Sequence, residues 1–148
     1  ILPKNIKKLI FGYYYNQIIE VGVLPSSLTH LTFGSNYDQK IDIGVLPKNL
    51  THLTFGYKYN QKIEAGVLPK NLTCLKFHGK YNQKTDVGVL PSSLISLTFG
   101  CEYNQIIDME ALPKNLKILK VQDEYPHSLD HIPSHIKIIK YDYFKYND

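Results

Sequence analysis

Arginine and tryptophan are absent from these 148 residues, methionine occurs once and cysteine twice. Each scarcity removes a class of function. Without arginine the chain lacks the side chain that most often reads guanine in a DNA groove. Its 17 lysines are distributed along the chain instead of clustering, and the formal net charge is only +4. Nucleic acid is therefore not an expected partner. No apolar run approaches the roughly 18 residues needed to cross a bilayer, and nothing at the start resembles a signal peptide. A membrane partner is not expected either. With a glycine or proline every few residues, long helices have nowhere to form. Also missing are a nucleophile elbow, a phosphate-binding loop and a dinucleotide fingerprint. No catalytic residue, metal ion or cofactor is assigned, and the chain is not expected to be an enzyme.

What the chain does contain is a period. Prolines stand at Pro3, Pro25, Pro47, Pro69, Pro91 and Pro113, 22 residues apart, and then at Pro133 after a unit of 20. Around each the text repeats, as in Leu46-Pro47-Lys48-Asn49-Leu50-Thr51-His52-Leu53-Thr54-Phe55-Gly56. A fixed period of this length marks a stacked-repeat architecture. The units run 2–23, 24–45, 46–67, 68–89, 90–111 and 112–131, with a partial, capping unit at 132–148. Together they predict one domain, and the 43% hydrophobic content is enough for a continuous core.

Within each unit Leu-x-x-Leu-x-Phe carries that core: Leu28, Leu31, Phe33; Leu50, Leu53, Phe55; Leu72, Leu75, Phe77; Leu94, Leu97, Phe99. Alternation with Thr, His or Lys at the last positions is the period of a short half-buried strand. The proline three residues earlier enforces an extended lead-in. Gly34, Gly56 and Gly100 after the Phe predict either a backbone bend at positive φ or a close neighbour. Tyr-Asn-Gln follows, with Asn16, Asp38, Asn60, Asn82 and Asn104 in one column. Side chains of this type satisfy turn backbone, so a ladder along the stack is expected. Ile19, Ile41, Ile63, Thr85 and Ile107 then return to the core, and Gly22, Gly44, Gly66 and Gly88 turn the chain toward the next proline. One unit cannot close a core, and stacked units can.

Leu-x-x-Leu-x-Phe followed by an asparagine column resembles a leucine-rich repeat. More narrowly, Tyr15-Asn16, Ile19 and Pro25 and their later copies resemble the FNIP repeat, named for Phe-Asn-Ile-Pro positions. The resemblance covers residues 1 to about 120 strongly and the rest weakly. It implies a leucine-rich-repeat-like solenoid, with a parallel β-sheet on the concave side, extended or turn structure on the convex side and little helix. Such repeats are abundant in social amoebae and in giant viruses of amoebae. They often follow an F-box, as in substrate receptors of Skp1–cullin–F-box ubiquitin ligases. The resemblance therefore implies a protein-interaction module, with host proteins as partners if the origin is viral. Skp1 and cullin are implied only if an F-box precedes this segment. The chain starts inside a repeat, at Ile1-Leu2-Pro3, which predicts a preceding segment.

Departures come late. His78-Gly79 displaces the post-Phe glycine, Glu110 replaces the unit-closing glycine, and Tyr125-Pro126 replaces Tyr-Asn. If the closing site needs positive φ, the turn at Glu110 should differ. Leu129, Ile132, Ile136, Ile139 and Tyr141 fit a final rung, and the tail from Tyr141 to Tyr146 is expected to cover its open end.

The outward strand positions form the expected partner-binding face. One column reads Lys8, His30, His52, Cys74, Ser96, Ile118; a second Ile10, Thr32, Thr54, Lys76, Thr98, Lys120; a third Lys7, Thr29, Thr51, Thr73, Ile95, Lys117. Zinc at His30, His52 and Cys74 is disfavoured, because a straight column offers poor tetrahedral geometry. His127, His131 and His135 are interrupted by Pro133 and lack a helical face. Cys74 and Cys101 fall about 16 Å apart along the strand direction, too far for a disulfide. Free thiols fit a reducing compartment, so a cytoplasmic location is expected, the host cytoplasm if viral. The sequons at Asn49 and Asn71 arise from the repeat itself. Glu20, Asp42, Glu64, Asp86 and Asp108 form an acidic column that Lys40, Lys62 and Lys84 offset. Two rival readings remain open: edge-to-edge self-assembly through an uncapped strand, and weak anion binding through Lys7, Lys8, Lys117 and Lys120.

Overall fold

The computed structural model describes residues 2–145. Seven strands form one all-parallel sheet in chain order: β1 (Lys8–Ile10), β2 (His30–Thr32), β3 (His52–Thr54), β4 (Cys74–Lys76), β5 (Ser96–Thr98), β6 (Ile118–Gln122) and β7 (Lys137–Tyr141). One strand per unit makes a stack of rungs, a solenoid with its sheet on the concave side. The period fixes the register, so that Leu9, Leu31, Leu53, Leu75, Leu97 and Leu119 pair in line. Leu53, Leu75, Leu97 and Leu119 are fully buried.

Behind the strands run two aromatic columns. Phe11, Phe33, Phe55 and Phe77 stack at centroid distances of 5.4, 5.4 and 5.3 Å. Tyr15, Tyr37, Tyr59, Tyr81, Tyr103 and Tyr125 stack at 6.1–6.3 Å. Within a rung the Phe and Tyr rings lie face to face, 3.9 Å apart for Phe55 and Tyr59. Burial raises the tyrosine hydroxyls well above their usual pKa, and that of Tyr103 reaches about 12. Thr85, where other units have Ile, hydrogen-bonds Tyr81 and Tyr103. The rungs with Ile41 and Ile63 offer no such group, and the hydroxyls of Tyr37 and Tyr59 are buried without a partner.

The two glycine positions do different work. Gly22, Gly44, Gly66 and Gly88 have φ between +84 and +90°. Each is the third residue of a type II turn closed by a bond such as Val23 N–H to Glu20 O. Where Glu110 stands instead, that turn is replaced by a 3-10 turn at Met109–Ala111, capped by the Asp108 carboxylate accepting from Glu110 N–H. Gly34, Gly56 and Gly100 need no positive φ. They are glycine because the rungs touch: a Cβ on Gly56 would lie 2.0 Å from the Gly34 carbonyl oxygen. His78 carries a side chain at this level, Gly79 absorbs the displacement at φ +28°, and the Phe77–Phe99 spacing widens to 6.0 Å.

The short last unit changes one assignment. Leu116 and Ile136 occupy equivalent turns, but β6 pairs with β7 at an offset of 19, so Ile138, not Ile139, sits behind Leu119. Ile139 moves to the outward side beside Lys120. A single deleted residue reverses a strand's faces. The tail also departs from the expected cover over the open end. Tyr141 turns back along the concave side, where its hydroxyl donates to Phe99 O at 2.6 Å, two rungs away. Tyr146 lies outside the described residues.

Because Gly56 meets backbone that cannot rotate away, Gly56→Ala should cost about 3 kcal/mol in urea unfolding. Gly22→Ala, strained in φ but open in space, should cost only about 1 kcal/mol. Equal costs would contradict the rung-contact explanation.

Candidate functional site: the concave strand face

On the convex side the Asn column makes cross-rung bonds. The Asn16 side-chain carbonyl accepts from Asp38 N–H at 2.9 Å. Asp38 accepts from Asn60 N–H, Asn60 from Asn82 N–H and Asn82 from Asn104 N–H, at 2.9–3.0 Å. The following glutamines donate to the same oxygens, as Gln61 Nε2 does to Asp38 Oδ1 at 3.0 Å. Asn49, Asn71 and Asn115 form a further column, each donating its amide to a carbonyl of the previous rung. The sequon asparagines are thus engaged in the stack. In the acidic column, Lys40 pairs with Asp42 at 3.4 Å and Lys62 with Asp86 of the next rung at 3.2 Å, all well exposed.

The concave face divides lengthwise. Its third column proves structural: Thr29 donates to Lys7 O, Thr51 to Thr29 O and Thr73 to Thr51 O. Each hydroxyl proton is then spent, so Thr29 and Thr51 accept from the Nδ1–H of His30 and His52, both at 2.9 Å. This holds both imidazoles in the tautomer that leaves Nε2 as an acceptor facing outward. The two rings stack at 4.2 Å with planes 8° apart. Parallel rings cannot converge on one ion, and no group of three metal-ligating side chains occurs among the described residues. Burial, then His30, lowers the pKa of His52.

Toward the C-terminus the face closes into a cleft. Lys8, His30 and His52 are exposed, Thr32 and Thr54 half-buried, Cys74 and Ser96 half-buried. Thr98, expected on the outward surface, is only 7% exposed. The tail accounts for this: Tyr141 and Tyr143 join Lys76, Thr98 and Lys120 in lining a cavity of about 440 Å³. The Tyr141 phenol is pushed up to about 12 by burial. Cys74 lies in the same lining, its thiol raised by burial and partly drawn back by Lys120 and Lys76. Both cysteines are free. His78, also in the lining, has its pKa lowered to about 4 by burial and then by Lys76, so it is neutral at pH 7. Lys7 and Lys8 stand at β1, while Lys117 and Lys120 stand at β6, so the stack does not bring them together. His127 and His131, which had no evident purpose in the sequence, donate from Nε2 to Asn104 O and Ile107 O at 2.6 Å and pin the sixth unit to the fifth.

Sequence reasoning missed an apolar ridge on the convex side. Val21, Ile43, Ala65, Val87 and Met109 recur at 22 residues, and Val21, Ile43 and Val87 are each 65% exposed. The spacing alone would have revealed it. Part of the ridge serves the stack, since Val21 and Ile43 lie over Gly44 and Gly66 of the following rungs.

Four stretches, 1–36, 15–58, 59–102 and 103–145, match the FNIP repeat. The chain belongs to the FNIP repeat family. Among solved structures it is similar to CroV588, a giant-virus protein described as a novel circular leucine-rich-repeat structure. The identity is 41% and the TM-score 0.89, over 95% of this chain and 21% of that one. This FNIP chain thus spans about a fifth of that protein's length. No curated protein matches it. A solenoid of this kind is a protein-interaction or structural repeat module and is typically non-catalytic. No helix among the described residues is long and apolar enough to cross a membrane.

His78 sets an acid limit on stability. Its unfolded pKa is near 6.5 and its folded pKa near 4. The folded state therefore resists the proton that the unfolded chain accepts, and stability is lost as pH falls through this window. Allowing for partial exposure, the loss is about 2 kcal/mol by pH 4.5. His78→Gln should flatten the urea-unfolding profile between pH 6.5 and 4.5 by that amount. An unchanged acid slope would contradict the assignment.

Proposed function

We propose that this FNIP solenoid is a protein-interaction module that binds its partner on the concave strand face, through the columns of Lys8, His30, His52, Cys74 and Ser96 and of Thr32, Thr54, Lys76, Thr98 and Lys120. One observation carries the reading. The side chains on this face of a parallel sheet carry no carboxylate at any strand position and, apart from Tyr141 and Tyr143 beside Thr98, are covered by no layer of the described residues. Parallel sheets ordinarily bury both faces, so a sheet left open on one side suits an external occupant. The finer reading is the substrate-recognition part of an F-box-type ubiquitin ligase adaptor. It requires an F-box elsewhere in the full protein and a cytoplasmic setting, with host proteins as substrates in a viral case. The two free thiols are in keeping with that setting. No catalytic role, metal, cofactor, nucleic acid or membrane enters this reading.

A photo-cross-linking residue at Thr54, compared with one at Ile43 on the convex ridge, tests the face. Cross-links to a specific protein from position 54 support it, and cross-links from position 43 alone transfer the function to the ridge. Co-purification of Skp1 and cullin with the full-length protein supports the adaptor role, and recovery of neither removes it.

A second reading is edge-to-edge self-assembly, favoured by the circular form described for CroV588. Sedimentation at high concentration distinguishes it, since an interaction module alone stays monomeric.

A further inference from the structure

We infer that the cleft formed where the terminal rung folds over the concave face is a binding site for an acidic peptide segment, carrying carboxylate or phosphoryl side chains. The inference rests on the interaction reading above and names the chemistry of the partner. Lysines from three strands border the cleft: Lys76 on β4 and Lys120 on β6 share one outward column, and Lys140 stands on β7 between Ile139 and Tyr141. None of them has an ion-pair partner among the described residues, and no carboxylate lines the cavity. Two acids of the neighbouring segments are engaged elsewhere. Glu102 accepts from the Tyr57 hydroxyl at 3.2 Å, and Asp142 accepts from Phe144 N–H and pairs with Lys145. Like charges gathered at one end of the face without neutralisation focus a positive field, more so between low-dielectric walls. Tyr141, fixed by its bond to Phe99 O, provides such a wall.

The remaining lining suits an oxyanion and not a metal. Ser96 offers a hydroxyl, and His78 stays uncharged and leaves the field to the lysines. Lys76 and Lys120 share a column two rungs apart, about 10 Å. A peptide in the polyproline II conformation running along the stack presents every third side chain on one side at about 9 Å, close to that interval. The volume of about 440 Å³ admits several side chains and exceeds what a lone inorganic anion fills. The opposite end of the face differs: Lys7 and Lys8 stand on an open edge strand, with no tail folded over them.

Anisotropy of dye-labelled peptides tests the proposal. One probe carries four consecutive glutamates, a second carries two phosphoserines, and a third has glutamine throughout. The intact chain should bind the first or the second and not the third, and whichever binds more tightly identifies the anionic group. Lys76→Gln/Lys120→Gln/Lys140→Gln should weaken binding at least tenfold, and Lys4→Gln/Lys7→Gln, at the other end of the face, less than twofold. If the triple variant unfolds, Lys120→Gln alone should weaken binding about threefold or more. In the unaltered chain, bound peptide should slow alkylation of Cys74. Absence of binding by both anionic probes, equal losses at the two ends, or unaltered binding by the lysine variants would overturn the cleft. A partner still cross-linked from position 54 in the triple variant would leave the interaction module standing and this inference refuted.

Discussion

An oxygen on the asparagine side chain of one rung accepts the backbone N–H of the rung that follows, and the strand ladder does the same on the opposite side. Between these two fixed seams each unit must spend the same number of residues, so like side chains fall one above another. The leucine row and the paired Phe and Tyr columns follow from that constraint. So do the bare glycines after each Phe, whose place leaves no room for a Cβ between backbones in contact. The core is a set of columns, and hydrophobic content matters less than registration.

The concave face changes character where registration lapses. The last unit is short, and β7 pairs at an offset of 19. Its strand runs for five residues where β1 to β5 have three, which carries Tyr141 back over the concave face. An open strip of threonines and histidines thereby becomes a lysine-bordered cleft at one end. The gradient from open to enclosed is a property of the chain's end and not of the repeat.

Much of this was legible in the residues. The Leu-x-x-Leu-x-Phe pattern located β2 to β5, its 22-residue columns extended to β1 and β6, and the solenoid with a parallel sheet and little helix follows from the period. Glu110 in place of glycine marked the altered turn, because that site demands positive φ. Other features were not legible for specific reasons. For Gly34 and Gly56 the sequence allowed a bend or a close contact, and only the rung spacing decides. Ile139 was assigned inward because the deleted residue between Leu116 and the last strand cannot be placed by counting prolines. Thr98 looked exposed because its cover comes from Tyr141 and Tyr143, in a segment with no copy elsewhere to compare. The lysines that meet in the cleft share no repeat position as a set: Lys140 belongs to the irregular end.

Deletion of a whole unit tests the central constraint most directly. Removing residues 46–67 takes out one period of 22 and should leave a shorter solenoid, with the same circular dichroism shape, cooperative urea unfolding and a lower midpoint. Removing 46–66 instead leaves one residue too many between the seams, and that chain should lose cooperative unfolding or fail to fold. If both deletions fold alike, the residues of successive rungs are not bound in register and the account of this protein is wrong.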